Sequence, residues 1–251
     1  MSRRRPQRGF TLIELMIAML IGLFLLGGLL TLVAGMRTTF GMQGGLAQLQ
    51  DSERLAMTLL ADVIQTAGYY PTPTVNTAVT ALPVSGVYTT AGQSLYGTDG
   101  AAPGDSITVR YLTAGNDGVI DCTGNTYTVA TTLVNTFQLT ALGTTPQTYA
   151  LTCSLNGATA VQLISGVTNL QILYGVKTNT TSSGDSIDSY LTATQVTAGG
   201  YWPSVNSVLL TLTFTNPLYG TAQGQTTSVN VPQTLSFTRV IGVMAKIGVA
   251  T

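Results

Sequence analysis

A chain of 251 residues has room for one globular domain of ordinary size plus a further segment. Its ten basic and ten acidic residues balance, charged side chains make up only 8 %, and histidine is absent, which removes His-based triads and His-based metal sites from consideration. Thr, Gly, Ser, Asn and Gln fill the remainder, a polar but hardly charged composition usual for exported, sheet-rich proteins.

The charge is unevenly placed. Arg3, Arg4, Arg5 and Arg8 all precede Phe10. Without them, six basic residues (Arg37, Arg54, Arg110, Lys177, Arg239, Lys246) face ten acidic ones, a balance of −4. That leaves no basic patch for nucleic acid.

From Phe10 to Met36 the only charge is Glu14. The uncharged run Leu15 to Met36, as a helix, reaches about 30 Å, the thickness of a hydrocarbon core. It is longer than the apolar core of a secretory signal and is followed by Arg37, Thr38 and Thr39 rather than an A-x-A-like site. A plain signal anchor fits the length and the basic leader. It does not account for an acid at the start of the span, since an ionisable group at mid-bilayer costs about 3 kcal/mol.

Arg8-Gly-Phe-Thr-Leu-Ile-Glu14-Leu-Met resembles the class III prepilin signal of type IV pilins and type II secretion pseudopilins. The resemblance implies a leader of residues 1–9, cut between Gly9 and Phe10 by a membrane-embedded prepilin peptidase, and N-methylation of Phe10. Residues 10–36 would be the transmembrane and assembly helix. Glu14 would lie one turn, about 6 Å, beyond the new amine. In a low-dielectric bundle its carboxylate and the amine of a neighbouring subunit offset each other's desolvation, which sets axial register.

Residues 37–68 read as an amphipathic continuation. Leu49, Ala56, Leu59, Leu60, Val63, Ile64 and Ala67 recur at helical spacing opposite Gln48, Asp51, Arg54, Thr58 and Asp62. Gly68 before Tyr69-Tyr70-Pro71 is a stop signal. Gly41, Gly44 and Gly45 leave two readings open, a kink or a stretch that unwinds on assembly. One helix from Phe10 to Ala67 would be about 85 Å long.

Residues 69–251 are expected to form a periplasmic β-rich head. Thr72 to Gly104 reads as a connecting loop, with short strands near Val84–Tyr88. Strands are then expected at Ser106–Leu112, Thr126–Thr132, Phe137–Leu142, Thr148–Ser154, Ala160–Ile164, Val167–Val176, Tyr190–Val196, Ser207–Thr215 and Leu235–Ile247. The expected fold is α+β: a long N-terminal helix packed on an antiparallel sheet. Cys122 and Cys153, an even count in an exported chain, point to one disulfide, with two buried free thiols as the alternative. A 31-residue separation corresponds to about 3.5 kcal/mol in the chain-entropy treatment.

Asn116-Asp-Gly-Val-Ile-Asp121 is a weak calcium candidate through Asp117 and Asp121. In the twelve-residue loop pattern, however, the first, third and last ligand positions fall on Thr113, Gly115 and Gly124. A turn is the better reading. Tyr69, Tyr70, Tyr201 and Trp202 read as core and edge packing. No catalytic constellation is present, and neither enzymatic activity nor a cofactor is expected.

The segments Leu46–Gly68, Asp121–Asn125, Leu163–Gly175 and Trp202–Val205 resemble the PilW family of minor pilins, although PilW-like chains often end in a basic strand and this one is nearly uncharged after Lys246. The resemblance implies a minor pilin acting in assembly initiation and at the tip, in twitching motility, adhesion or DNA uptake. Its partners would be other minor pilins, the major pilin, the prepilin peptidase and the inner membrane. It would reside in that membrane with a periplasmic head before assembly and in the extracellular filament afterwards. A J-type type II secretion pseudopilin, and a membrane-anchored periplasmic binding protein that never assembles, are the other two expectations.

Overall fold

The computed structural model describes residues 9, 11–101, 103–143, 148–179, 186–219 and 231–246. Helix α1 runs from Leu12 to Gln65. The helix assignment is continuous across Gly41, Gly44 and Gly45. Two compact units divide the chain, one ending at Ala47 and one beginning at Gln48.

In the first unit the large apolar side chains of α1 are exposed: Leu12, Met19, Leu23 and Phe24 are 70–80 % accessible. The helix is long and apolar enough to cross a membrane.

In the second unit the helix becomes one-sided. Leu49, Ala56, Met57, Leu60, Ala61, Val63, Ile64 and Ala67 are buried. Met57 and Ala61 join the anticipated apolar face, and Leu59 is only partly buried at its margin. Gly68 ends the helical segment at φ +80°, in the left-handed region open to glycine, and its N–H donates to the Arg110 carbonyl at 2.9 Å.

Two antiparallel sheets follow. The first is a five-stranded meander of β1 (Leu95–Thr98), β2 (Ser106–Thr113), β3 (Thr131–Ala141), β4 (Tyr149–Leu155) and β5 (Val161–Ser165) in sequence order. The second comprises β6 (Val167–Val176), β7 (Ser189–Leu191), β8 (Val205–Thr215) and β9 (Thr234–Gly242), ordered β7-β6-β8-β9. One apolar cluster joins the helix face (Leu60, Ile64) to both sheets (Val109, Phe137, Leu170, Leu210), giving an α+β head with the helix packed on sheet. Burial alternates along β8, where Val208, Leu210, Leu212 and Phe214 point inward.

Threonine recurs in the strands for a local reason. Its β-branched carbon suits the pleat, and its hydroxyl finds a partner on the next strand. Thr108 pairs with Thr136 at 3.0 Å and Thr140 with Thr152 at 2.9 Å. On the second sheet Thr211 pairs with Thr238 at 3.0 Å and Thr213 with Ser236 at 2.9 Å.

The structure corrects several expected elements. Thr126–Ala130 is not strand; only Thr126 makes an isolated bridge, to Ile120, and β3 starts at Thr131. Tyr190–Val196 is not one strand either. It divides into β7 and helix α3 (Ala193–Gly199), because Thr192 and Gln195 form a reciprocal capping box and Asp99 accepts the N–H groups of Ala193 and Thr194, both at 2.8 Å. The last strand ends at Gly242, before a short 3-10 turn at Met244–Lys246. In the connecting segment Ser85 and Tyr88 form a bridge only, whereas Ala78–Ala81 is a short helix (α2) and Leu95–Thr98 is β1.

Candidate functional site

The N-terminal candidates are Gly9, Phe10 and Glu14. Phe10 lies outside the described residues, and Gly9 is exposed. Glu14 stands at the third position of α1 and closes a reciprocal capping box with Thr11. The Thr11 N–H and hydroxyl donate to Glu14 Oε2 at 3.4 and 3.3 Å, and the Glu14 N–H is 3.4 Å from Thr11 Oγ1. The Thr11 N–H at the helix start is thereby engaged, while the Glu14 N–H also donates to the Thr11 carbonyl at 3.1 Å. The signal was present as Thr-x-x-Glu, but the acid was read only as a partner for another subunit.

Farther along this unit, a methyl group added at Gly22, Gly27, Gly28 or Gly35 would meet nothing within 4 Å. Their smallness serves no packing inside this chain.

The second candidate region is the connection between β2 and β3, residues 114–130, which carries Asp117, Asp121 and Cys122. Cys122 is bonded to Cys153 on β4, both side chains being buried, with Cα atoms 6.4 Å apart. The bond anchors the connection to an interior strand of the first sheet. Two hydrogen bonds reinforce it: Cys122 N–H to Asn135 Oδ1 on β3 (2.9 Å) and Tyr111 hydroxyl to the Ile120 carbonyl (2.6 Å).

Both carboxylates organise their own turns. Asp117 Oδ1 accepts from the Thr113 hydroxyl at 2.6 Å and Val119 N–H at 3.2 Å, and Oδ2 from Ala114 N–H at 2.8 Å. Asp121, 1 % exposed, accepts on Oδ1 from the Thr123 N–H and hydroxyl at 2.7 and 2.6 Å, and on Oδ2 from the Tyr127 hydroxyl at 2.7 Å. Burial is the largest influence on Asp121 and raises its pKa, but the donors from Thr123, Tyr127 and Asn125 outweigh it and hold the carboxyl below the usual range. The Thr113 hydroxyl does the same for Asp117. Facing Asp121, the Tyr127 hydroxyl is pushed up to about 12, chiefly by burial. Among the described residues no group of three or more His, Cys, Asp or Glu side chains comes together to hold a metal ion.

Arg110, on β2, was counted in the sequence only as a charge. It is 2 % exposed. Nη1 donates to the Pro83 carbonyl at 2.6 Å, and Nη2 to those of Gln93 and Leu82 at 2.6 and 3.2 Å. The guanidinium lies 4.0 Å from the centre of the Tyr88 ring. One cation thus ties the segment between Leu82 and Gln93 to the sheet. Its partners are backbone carbonyls and a ring face, which no charge pattern reveals.

Trp202, 6 % exposed, packs edge-on against Tyr174 at 4.9 Å and beside Tyr96 at 5.4 Å, with Nε1 donating to Thr197 Oγ1 at 3.0 Å. Gly97 is required there, since a Cβ would collide with the Tyr174 hydroxyl. Tyr69 is exposed and Tyr70 and Tyr201 are half-buried. A cleft of about 690 Å³ near the end of α1 is lined by Asp62, Val63, Tyr69, Asp117, Ile120 and Met244. Among the described residues its two acids are not paired with a base, and Asp117 is already bound to its turn.

An apolar N-terminal helix preceded by an Arg-rich stretch and begun by a Glu-bearing first turn, followed by a helix-backed antiparallel head, fits the type IV pilin class. The prokaryotic N-terminal methylation motif matches residues 4–30. The model of the type IV pilus-assembly protein W family matches residues 126–240, from the end of the disulfide-bonded connection into β9. The chain is a PilW-like type IV pilin, of the minor-pilin kind. No curated protein and no solved structure matches it. Members of this class are structural rather than enzymatic and associate with other pilins and the pilus machinery; the motif and the apolar helix fit membrane anchoring and incorporation into a pilus.

Proposed function

We propose that this minor pilin is made as a precursor cut after Gly9, is N-methylated on Phe10, and works with other minor pilins in starting the pilus and forming its tip. Before assembly it sits in the inner membrane with its head, residues 69–251, in the periplasm; afterwards it belongs to the extracellular filament. Residues 10–36 serve as the transmembrane and assembly helix, and residues 37–68 carry it into the head. Glu14 partners the Phe10 amine of a neighbouring subunit, and the unoccupied small-residue positions along α1 accept neighbouring helices.

The carrying observation is the union in one chain of a methylation motif at residues 4–30 and a PilW head at residues 126–240. Deletion of the gene should sharply reduce surface pili, and the complementing protein should appear in the sheared filament fraction with methylated Phe10 as its first residue. Normal piliation with a secretion defect would assign the chain to a type II system instead. A retained Met1 would point to a membrane-anchored protein that does not assemble.

A further inference from the structure

Among the described residues the two sheets end in four edge strands, and three of them are poor templates for pairing. β1 has four residues and β7 three. β5 has five and meets β4 through an irregular register at Leu151/Thr152. β9 is different: its nine residues pair with β8 in unbroken register from Thr215↔Thr234 to Ser207↔Gly242. It contains no proline or lysine and one charge, Arg239. Those are the features by which natural edges are usually blunted.

The register also shows which backbone groups are open. Asn216 N–H donates to the Gln233 carbonyl, and Val243 N–H to that of Asn206, each at 2.9 Å. In an antiparallel ladder, pairs of that parity exchange hydrogen bonds and the alternate pairs do not. Leu235, Phe237, Arg239 and Ile241 therefore bond to β8. Thr234, Ser236, Thr238, Val240 and Gly242 direct their N–H and C=O groups away from it, at intervals of about 6.8 Å. Only another extended chain satisfies such a row along its length.

Arg239 selects among such chains. Its side chain is exposed, on the same side of the strand as Phe237 and Ile241, and among the described residues no carboxylate pairs with it. Self-pairing over all nine residues would centre on Thr238 and set two Arg239 side chains on diagonal positions of one face, where like charges repel.

We propose that the open edge of β9 docks an extended, acidic segment of a different pilin by strand addition, with a carboxylate of that segment opposite Arg239. This rests on the chain's association with other pilins and adds where and how one of them binds.

The test is photo-cross-linking in the producing cell, with full-length chain carrying a benzophenone amino acid at Thr238 on the edge or, as control, at Thr211 one strand inward. The expected result is an adduct from position 238 to an acidic segment of another pilin, at least tenfold weaker from position 211. The adduct should fall tenfold or more with Val240→Pro, which removes an open N–H, and with Arg239→Glu, which reverses the charge without touching the ladder. Formation of the Cys122–Cys153 bond reports that each variant folds; if the proline variant fails this check, the charge variant decides. No adduct, an adduct to residues 220–230 of the same chain, an adduct to a second copy, or yields unchanged in the folded variants would each overturn the proposal. Recovery of unsubstituted chain in the sheared filament fraction is scored separately, so that loss of the minor-pilin reading is distinguishable from loss of the docking edge.

Discussion

The chain up to Ala47 and the head beyond it use apolar residues in opposite ways. In the first, Leu, Ile, Met and Phe surround the helix, and from Leu12 to Phe40 all are exposed within this chain. In the second, apolar residues occupy one helix face and alternate strand positions, and Leu60, Ile64, Val109, Phe137 and Leu210 lose all contact with solvent. The hydrophobic effect acts on both. The head satisfies it internally, whereas the N-terminal helix leaves its apolar surface uncovered within the chain, which fits membrane anchoring and incorporation into a pilus. A pilin needs that division, since one part must be stable alone and the other must be able to exchange one apolar surrounding for another.

Substitutions can break or sharpen the comparison. The largest effect should come from Cys122→Ser with Cys153→Ser, a loss of about 3.5 kcal/mol from the head in denaturant unfolding. Leu23→Ala, by contrast, should leave head unfolding unchanged, because Leu23 is exposed and belongs to the first unit; a shift in the head's midpoint would show that the two parts are not independent. Next, Arg110→Met should cost about 1–3 kcal/mol by leaving the buried carbonyl of Gln93 unpaired; that of Leu82 keeps the Gly92 N–H at 2.8 Å. Limited proteolysis should then cut first between Leu82 and Gln93, and an uncut segment would deny Arg110 its anchoring role.

A smaller effect belongs to pH. Asp121, Asp117 and Asp99 all have carboxyl pKa values lowered in the folded state, so the stability they contribute is fully present above the ordinary aspartate value, about 3.9, and is lost as pH falls through their lower folded values. Asp105, raised by burial, works in the opposite sense. Asp121→Asn should cost about 1–2 kcal/mol at neutral pH and flatten the acid limb of the unfolding curve. An acid limb unchanged in slope would remove Asp121 from the account.

The smallest effect separates two uses of Glu14. Glu14→Gln can still cap the helix with Thr11, whereas Glu14→Ala cannot, a difference of about 1 kcal/mol in helix stability by circular dichroism in micelles. If the charge itself is needed for pairing with a neighbour's amine, both variants should be absent from sheared filaments. Filaments containing Glu14→Gln but not Glu14→Ala would make the cap, rather than the charge, its task.

Legibility followed the range of the interaction. Val167–Val176 was read to the residue because its alternation and its flanking glycine are local. The helix stop at Gly68 was legible for the same reason. Tyr190–Val196 misled because its apolar residues suit a strand, while its capping box, and Asp99 arriving from the end of β1, favour helix. Thr126–Ala130 has strand composition, but Asp121 draws Tyr127 into its turn instead. The family signal was also misplaced in part. Of the segments that resemble PilW, Leu163–Gly175 and Trp202–Val205 fall inside the matched stretch, whereas Leu46–Gly68 and Asp121–Asn125 fall outside it.

What the amino-acid order determined alone was whatever repeats within a few residues. That covers the uncharged span with its basic leader, the Glu four residues past the Gly9–Phe10 junction, the amphipathic turn-by-turn pattern after Leu46, and the alternation of the longer strands. Tertiary structure decided what depends on partners far apart in the chain. Arg110 found three carbonyls in a segment that has no acid to announce them. Cys122 was joined to an interior strand, and β9 became an edge with one side open. Local periodicity is set by backbone geometry and burial, so it can be read from the string. A hydrogen-bond partner tens of residues away carries no such period and appears only when the chain has folded.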